Sequence, residues 1–246
     1  MKALVLAALS LFLALPASAA KLYAIQGDVL YSADPVTGNW TSLSDTWNGT
    51  SLLTSCAGSL YAIQGDNLYR VDPSDGSWDV LSSTWSGTIA LTSGGGKLYA
   101  IQNDVLYGIN PADGTWWEIP GSYGGSQFLA YAGGALMLIQ NDTLYRTDPQ
   151  TGDYAELPSS YSGTTAVAGS ASAFYVIQGD NLYTVNPRTG DYDSFGGGYS
   201  GADVLTVCGN YVYCVWQGQL WKTSIADGSY QSLGSSWDGT TALCSM

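Results

Sequence analysis

Histidine is absent from this sequence of 246 residues, and basic residues are few. Without histidine, the chain contains no Ser-His-Asp triad, no Cys-His pair and no histidine-ligated metal. It carries 7 Lys and Arg against 20 Asp and Glu, a formal net charge of −13. Nucleic acids and anionic membrane surfaces attract basic proteins, so we expect no nucleic-acid partner and no membrane insertion.

The sequence has no apolar run of the roughly 18 residues that a membrane-spanning helix needs, and the apolar run at its start is shorter than this. The start itself combines one positive charge at Lys2, a short apolar run over Ala3–Leu15 and a small-residue ending at Ala17-Ser18-Ala19-Ala20. These are the three parts of a secretory signal peptide. We predict a signal peptide over residues 1–20 and a secreted, extracellular protein, or a periplasmic one in a bacterial host.

Cysteine is also scarce, with Cys56, Cys208, Cys214 and Cys244 only. Four cysteines in an exported chain are enough for two disulfides, with three possible connectivities. Cys208 and Cys214 flank one predicted hairpin, and Cys56 and Cys244 lie on neighbouring inner strands, so these are the favoured pairs. Free thiols are the alternative, because a disulfide cannot join two residues on opposite faces of a hairpin.

What the chain does have is internal repetition. The segment Leu22–Tyr31, LYAIQGDVLY, returns five times at a spacing of 38 residues, as Tyr23, Tyr61 and Tyr99 illustrate. Periods of this length are typical of repeat architectures such as propellers. We predict one domain over residues 21–246 with units 21–58, 59–96, 97–134, 135–172, 173–210 and 211–246.

The second unit shows the pattern that the other units share. Its apolar segments are short, and Gly-Asp, Asp-Pro-x-x-Gly and small-residue turns separate them. No segment has the period of a helix. The predicted strands are Leu60–Gln64, Asn67–Val71, Ser77–Leu81 and Thr88–Thr92. Four antiparallel strands in each of six units predict an all-β fold, a six-bladed β-propeller.

The arrangement also predicts how the ring closes. Thr88–Thr92 and its copies have the smallest side chains, so we place them around the central channel. Each leads through a tight turn into the next unit, which makes the two strands neighbours in one blade. The first strand, Leu22–Gln26, then needs an inner partner. We predict that the C-terminal strand at Thr240–Ser245 pairs with it and closes the ring.

The predicted strand directions bring the Gln-Gly-Asp turns and the aromatic-x-Gly loops to one rim. An aromatic ring beside an amide and a carboxylate suits a neutral sugar, whose C–H face covers the ring while its hydroxyls bind the polar groups. In the sixth unit Trp216 and Gly218 replace the polar pair. The candidate ligand-binding residues are Gln26, Asp28, Trp47, Gln64, Asp66, Trp85, Gln102, Asp104, Tyr123, Gln140, Asp142, Tyr161, Gln178, Asp180, Tyr199 and Trp237.

Each of these columns has a structural alternative. Asp is common in hairpin turns, Gln can satisfy backbone groups between blades, and the aromatics can pack between blades. A second aromatic column follows the Asp-Pro-x-x-Gly turns on the opposite rim, and we favour packing for it. That column is Trp40, Trp78, Trp116, Tyr154, Tyr192 and Tyr230. The turns themselves offer too few oxygens for calcium, so we expect no metal and no cofactor.

Six tandem units, each with a segment such as Leu60–Tyr69 followed by Gly76-Ser77-Trp78, resemble the tectonin repeats of tachylectin-1-like and fish-egg lectins. The resemblance extends over residues 21–246 in period and layout. It implies a six-bladed propeller that binds glycans or bacterial surface polysaccharide. The Asp-Pro turns, as at Asp34–Gly38, depart from that family, and no sugar-contacting motif transfers by residue.

The leading hypothesis is a secreted, non-catalytic, multivalent carbohydrate-binding protein whose partner is a glycan or a cell-surface polysaccharide. The alternative is an extracellular propeller with a protein partner or a structural role, without sugar binding. An enzyme is a third hypothesis, which would need polar residues unique to one unit. The near-uniform units favour the lectin over the enzyme.

Overall fold

The computed structural model describes residues 20–246, which form strands and turns throughout. The predicted signal peptide, apart from Ala20, lies outside the described residues. No helix in residues 20–246 is long and apolar enough to cross a membrane.

The strands form six four-stranded antiparallel sheets, which we number as blades 1 to 6. Each sheet is one blade of a propeller, as predicted. From the innermost strand outward, blade 1 contains β24 (Thr240–Ser245), β1 (Leu22–Gln26), β2 (Val29–Ala33) and β3 (Trp40–Ser44), and blade 2 contains β4 (Leu52–Cys56), β5 (Ser59–Gln64), β6 (Asn67–Val71) and β7 (Trp78–Ser83).

The other four blades follow the order of blade 2. Blade 3 contains β8 (Thr88–Gly94), β9 (Lys97–Gln102), β10 (Val105–Ile109) and β11 (Trp116–Ile119), and blade 4 contains β12 (Ser126–Ala132), β13 (Ala135–Gln140), β14 (Thr143–Thr147) and β15 (Tyr154–Ser160). Blade 5 contains β16 (Thr164–Gly169), β17 (Phe174–Gln178), β18 (Asn181–Val185) and β19 (Tyr192–Gly197), and blade 6 contains β20 (Val204–Cys208), β21 (Tyr211–Trp216), β22 (Gln219–Ser224) and β23 (Tyr230–Ser235).

The second strand of each blade is buried on both faces because a blade packs on either side of it. In β5, Leu60, Tyr61, Ala62 and Ile63 are all buried, as expected of a strand without polar alternation. The hydrophobic core is accordingly divided into six clusters, each formed where two adjacent blades meet. Each blade therefore depends on both neighbours for its burial.

The innermost strands contact one another in a ring and surround the central channel, as predicted from their small side chains. Serine side chains connect some of them near one end of this channel. Ser55 donates to the Ser245 carbonyl at 2.6 Å, and Ser93 donates to the Ser55 carbonyl at 2.6 Å. A cavity of about 310 Å³ lies within the channel.

The predicted closure of the ring is confirmed in blade 1, where β24 pairs with β1. Tyr23 lies opposite Cys244 and Ala24 lies opposite Leu243 in this antiparallel pair. Beyond the strand ends, Lys21 and Met246 exchange backbone hydrogen bonds of 2.9 and 3.0 Å. The inner strand of the first blade thus comes from the opposite end of the described chain.

The favoured disulfide pairs are not formed, and the alternative of free thiols describes the structure, in which all four cysteines are free and buried. In the hairpin of β20 and β21, Cys214 lies opposite Leu205 and Cys208 lies opposite Tyr211. The two sulfurs therefore point to opposite faces of the sheet and belong to different core clusters. Cys56 and Cys244 are likewise in separate clusters.

The Asp-Pro-x-x-Gly turns are held by their first side chain. Asp148 accepts hydrogen bonds from the backbone N–H of Gln150 at 2.8 Å and of Thr151 at 3.1 Å, the pattern of an Asx turn. These bonds, that of Gln150 first, lower the pKa of the Asp148 carboxyl. Asn186 occupies the same place in the next unit and accepts from Arg188 at 2.9 Å.

Deletion of residues 240–246 should destabilise the whole domain, because it removes buried Leu243 and Cys244 and leaves β1 without its inner partner. We expect the free energy of unfolding to fall by several kcal/mol, which corresponds to a fall in thermal midpoint of about 10 °C or more for a domain of this size. Circular dichroism melting would measure it. A circular permutant that retains β24 should melt close to the parent, whereas a truncated protein with the parental midpoint would contradict the closure.

The Asp148 turn predicts a specific pH dependence of stability. A carboxyl whose folded-state pKa is lowered stabilises the fold above its unfolded pKa of about 3.9, and this stabilisation is lost as pH falls through the folded pKa. Asp148→Asn, which copies Asn186, should therefore lower the urea midpoint slightly at neutral pH and match the parent at about pH 2. A difference that is independent of pH would contradict this assignment.

Candidate functional site

The Gln-Gly-Asp turns and the aromatic loops meet at one rim, as the strand directions predict. The backbone N–H of Trp47 donates to the Asp28 carbonyl at 2.8 Å, and that of Trp85 donates to the Asp66 carbonyl at 2.9 Å. Tyr161 and Asp142 repeat the contact at 2.8 Å. These three aromatics are thus held over the first hairpin of their own units.

The repeated glutamines join each blade to the preceding unit. Gln64 donates from its amide nitrogen to the carbonyls of Thr46 and Asn48, both at 2.9 Å. These two carbonyls flank Trp47, so the glutamine of one unit secures the aromatic loop of the unit before it. Gln26, Gln102, Gln140 and Gln178 make the equivalent pair of bonds.

This arrangement changes how the predicted residues group together. The sequence placed Gln64 with Trp85 of its own unit, whereas the structure brings it to the loop of Trp47. Both N–H donors of the amide are used by the backbone, which leaves the amide oxygen as the free hydrogen-bonding atom. In the sixth unit, Trp216 replaces the glutamine and donates its indole N–H to the Ser200 carbonyl at 2.6 Å.

The aromatics of the predicted site are buried between blades. They are Trp47, Trp85, Tyr123, Tyr161, Tyr199 and Trp237. The Trp47 indole also donates to the Ser44 hydroxyl at 2.8 Å and meets Tyr69 edge to face, with 5.5 Å between ring centroids. These rings therefore present no open face on which a sugar could stack. The structural alternative, packing between blades, describes their position.

The carboxylates of the predicted site are exposed at the rim. Two of them also order the aromatic loops, since Asp66 accepts from the backbone N–H of Ser86 at 3.1 Å and Asp180 accepts from Ser200 at 3.0 Å. Asp28, Asp104 and Asp142 occupy the equivalent exposed positions. Ligand contact by the glutamines, carboxylates and aromatics of this rim stays a prediction.

The second aromatic column, for which the sequence favoured packing, is the exposed one. Trp78 is 44% exposed and Tyr192 is 55% exposed. Each ring of the column is supported by an aromatic ring of the neighbouring strand, with centroids 5.1 to 5.8 Å apart. The pairs are Tyr31–Trp40, Tyr69–Trp78, Tyr107–Trp116, Tyr145–Tyr154, Tyr183–Tyr192 and Trp221–Tyr230.

Clefts open between blades where a tyrosine occupies the buried aromatic position. The cleft between blades 4 and 5, about 330 Å³, is lined by Tyr161, Gln178, Tyr183 and Tyr192 among others. Its counterpart between blades 3 and 4, about 250 Å³, is lined by Tyr123, Gln140, Tyr145 and Tyr154 among others. Each cleft thus combines a buried tyrosine, the glutamine and an exposed ring.

The larger indole fills this space at other interfaces. Trp85 meets Tyr107 of the next blade edge to face at 5.8 Å, as Trp47 meets Tyr69. Between blades 5 and 6 only about 40 Å³ remains, because Trp216 and Trp221 enter the cleft beside Tyr199. The size of one or two aromatic side chains therefore decides whether a cleft is open.

Among the described residues, none that lines the two larger clefts carries a charged side chain. Burial raises the pKa of Tyr123 and of Tyr161 to about 12. Both phenols are therefore protonated at neutral pH and can donate a hydrogen bond. Within residues 20–246, no three or more Cys, Asp or Glu side chains come together as metal ligands would.

Comparison with known proteins agrees with this architecture. No protein-family model and no curated protein matches the chain. Many solved structures match, 914 chains in all, so the fold is too widespread to specify a function. The chain is similar to a chain in the crystal structure of a nidogen/laminin complex, with a TM-score of 0.78 at 10% identity, over 92% of this chain and 98% of that one. This likeness shows the fold alone.

The two aromatic columns should respond differently to truncation. Trp85→Ala should reduce the free energy of unfolding by about 3–5 kcal/mol, because it empties a buried interface. Trp78→Ala in the same unit should cost about 1 kcal/mol or less, since that ring is exposed. Urea unfolding of both variants would test this. Equal losses would contradict the assignment of the two columns to core and surface.

Proposed function

We propose that this protein is a secreted, non-catalytic carbohydrate-binding propeller that takes neutral sugars into the clefts between its blades. The observation that carries the proposal is the exposed ring of Tyr192 or Tyr154 beside an uncharged cleft. A half-exposed aromatic offers its face to the C–H groups of a pyranose at low entropic cost, because its partner ring already fixes its position.

The polar groups of the clefts suit hydroxyl recognition. In the cleft between blades 4 and 5, the Gln178 amide oxygen is a free acceptor and the hydroxyls of Ser159 and Ser160 are nearby donors and acceptors. A six-membered ring needs little room: a cavity of about 150 Å³ holds benzene. Both larger clefts exceed this volume.

The presence of two open clefts on one rigid ring would strengthen weak binding. Sites that bind a single sugar weakly gain about 10²- to 10⁴-fold in avidity when several on one body engage a multivalent surface. The expected partner is therefore a polysaccharide or a densely glycosylated cell surface. Membership of the tectonin-like lectins, suggested by the repeat layout, is part of this proposal.

A protein partner is the second candidate function. It is supported by the similarity to a chain of the nidogen/laminin complex, which is an assembly of two proteins. Exposed apolar side chains, including Val36, Val80 and Ile89, add to the exposed aromatics. Aromatic residues are also enriched in protein interfaces, so the same surface would serve either partner.

A glycan array probed with the mature protein tests the lectin proposal. We expect saturable binding to one class of neutral sugar, unchanged when calcium is chelated. Tyr154→Ala with Tyr192→Ala should weaken this binding by about tenfold or more, because each variant removes a stacking surface worth about 1 kcal/mol or more.

The matched control is Ile89→Ala, which removes an equally exposed apolar side chain at the channel and should leave binding unchanged. All variants should retain the parental thermal midpoint to within a few degrees. An array without signal would overturn the lectin proposal and favour the protein partner.

A further inference from the structure

The cleft between blades 4 and 5 differs from its neighbours in one polar atom. Tyr161 is 4% exposed, and its hydroxyl is buried without a hydrogen-bond partner among the described residues. The tyrosines at the two adjacent interfaces are satisfied. Tyr123 donates to the Pro120 carbonyl at 2.8 Å, and the Tyr199 hydroxyl lies 2.8 Å from that of Thr223.

The missing partner has a cause in the sequence. Thr223, whose hydroxyl is the partner of Tyr199, is the last residue of β22 that pairs with β23. It lies opposite Tyr230. The equivalent residue in blade 5 is Val185, which lies opposite Tyr192 in the same register. Valine has the shape of threonine without its hydroxyl, so the Tyr161 phenol faces an apolar side chain at this interface.

An unpartnered buried hydroxyl destabilises the fold, because its desolvation is not compensated, and such groups are rare in folded proteins. Here it belongs to a side chain that lines the largest of the three clefts, about 330 Å³ against about 250 and 40 Å³. Val185 and Tyr192 line the same cleft. The hydroxyl itself is enclosed, but its side chain forms part of the cleft wall, so a ligand in the cleft reaches the hydroxyl when the ring shifts.

We infer that this cleft is the principal ligand site of the protein, and that the Tyr161 hydroxyl donates a hydrogen bond to an oxygen of a neutral, hydroxyl-bearing ring. The inference rests on the proposed function and makes it more specific. The six interfaces are then unequal: the cleft between blades 4 and 5 supplies the main contact, and the cleft between blades 3 and 4 is weaker.

The chemistry of the cleft limits the ligand class. No charged side chain of the described residues lines it, and the protein as a whole has a net charge of −13. An anionic ligand such as a phosphate would lack a countercharge and be repelled. An apolar ligand would leave the phenol unsatisfied. A neutral sugar offers both an apolar face for Tyr192 and oxygens for Tyr161.

Two substitutions test the role of the hydroxyl with little risk to the fold. Tyr161→Phe removes it and leaves the ring. Val185→Thr copies the arrangement of Thr223 with Tyr199 and gives the hydroxyl an internal partner. Both should preserve or raise the thermal midpoint, because Tyr161→Phe removes the unsatisfied hydroxyl and Val185→Thr gives it a partner. Both should also weaken sugar binding by about fivefold, the effect of one neutral hydrogen bond.

Binding would be measured by titration calorimetry with methyl glycosides of glucose, galactose, mannose, fucose, N-acetylglucosamine and N-acetylgalactosamine. The control is Tyr61→Phe, which breaks a buried hydrogen bond of 3.0 Å to the Pro111 carbonyl, away from the two larger clefts. It should lower the thermal midpoint and leave sugar affinity unchanged. A ligand-binding hydroxyl is thus recognised by weaker sugar binding at an unchanged or higher thermal midpoint, and a structural hydroxyl by a lower thermal midpoint at unchanged sugar binding.

The outcomes separate this inference from the proposed function. If the parent binds a glycoside and both cleft variants bind it equally well, the inference is overturned while the lectin proposal stands. If Tyr61→Phe and Tyr161→Phe weaken binding alike, the assignment of the ligand to this cleft is overturned. If the parent binds neither these glycosides nor any glycan on the array, both proposals fail.

Discussion

The pairing of β24 with β1 is the contact on which the rest of the structure depends. Each blade is apolar on both faces, so it is stable only between two neighbours, and six blades satisfy this condition when they form a closed ring. The inner strand of blade 1 comes from the C-terminal part of the described chain. One pair of strands therefore closes the ring, whereas the other five sheets are built from strands that are consecutive in sequence.

The rim is organised by the same need to join neighbouring blades. The glutamine of one unit binds two backbone carbonyls of the preceding aromatic loop, and a buried ring lies between those carbonyls. A tryptophan at this position reaches the tyrosine of the next blade, whereas a tyrosine at two of the interfaces leaves a cleft. Small differences in side-chain volume thus decide whether a packing position closes the interface or leaves an open cleft.

The clefts combine features that their surroundings lack. The chain is strongly acidic, yet the described walls of the two larger clefts are aromatic, amide and hydroxyl groups without charge. Such walls favour neutral ligands with both apolar and hydroxyl-bearing sides. Because many proteins share the propeller fold, any specificity must come from these few side chains and their hydrogen bonds.

The sequence by itself determined the number of blades, the strands in each blade and the closure of the ring. Strand alternation, turn residues and a regular period are local properties, so they can be read along the chain. Only the tertiary structure decided which aromatic column is buried. It also decided that Gln64 binds the loop of Trp47, and that Cys208 and Cys214 lie on opposite faces of their hairpin. These facts depend on how adjacent blades pack, and two identical-looking columns of Trp and Tyr differ only in the neighbours that cover them.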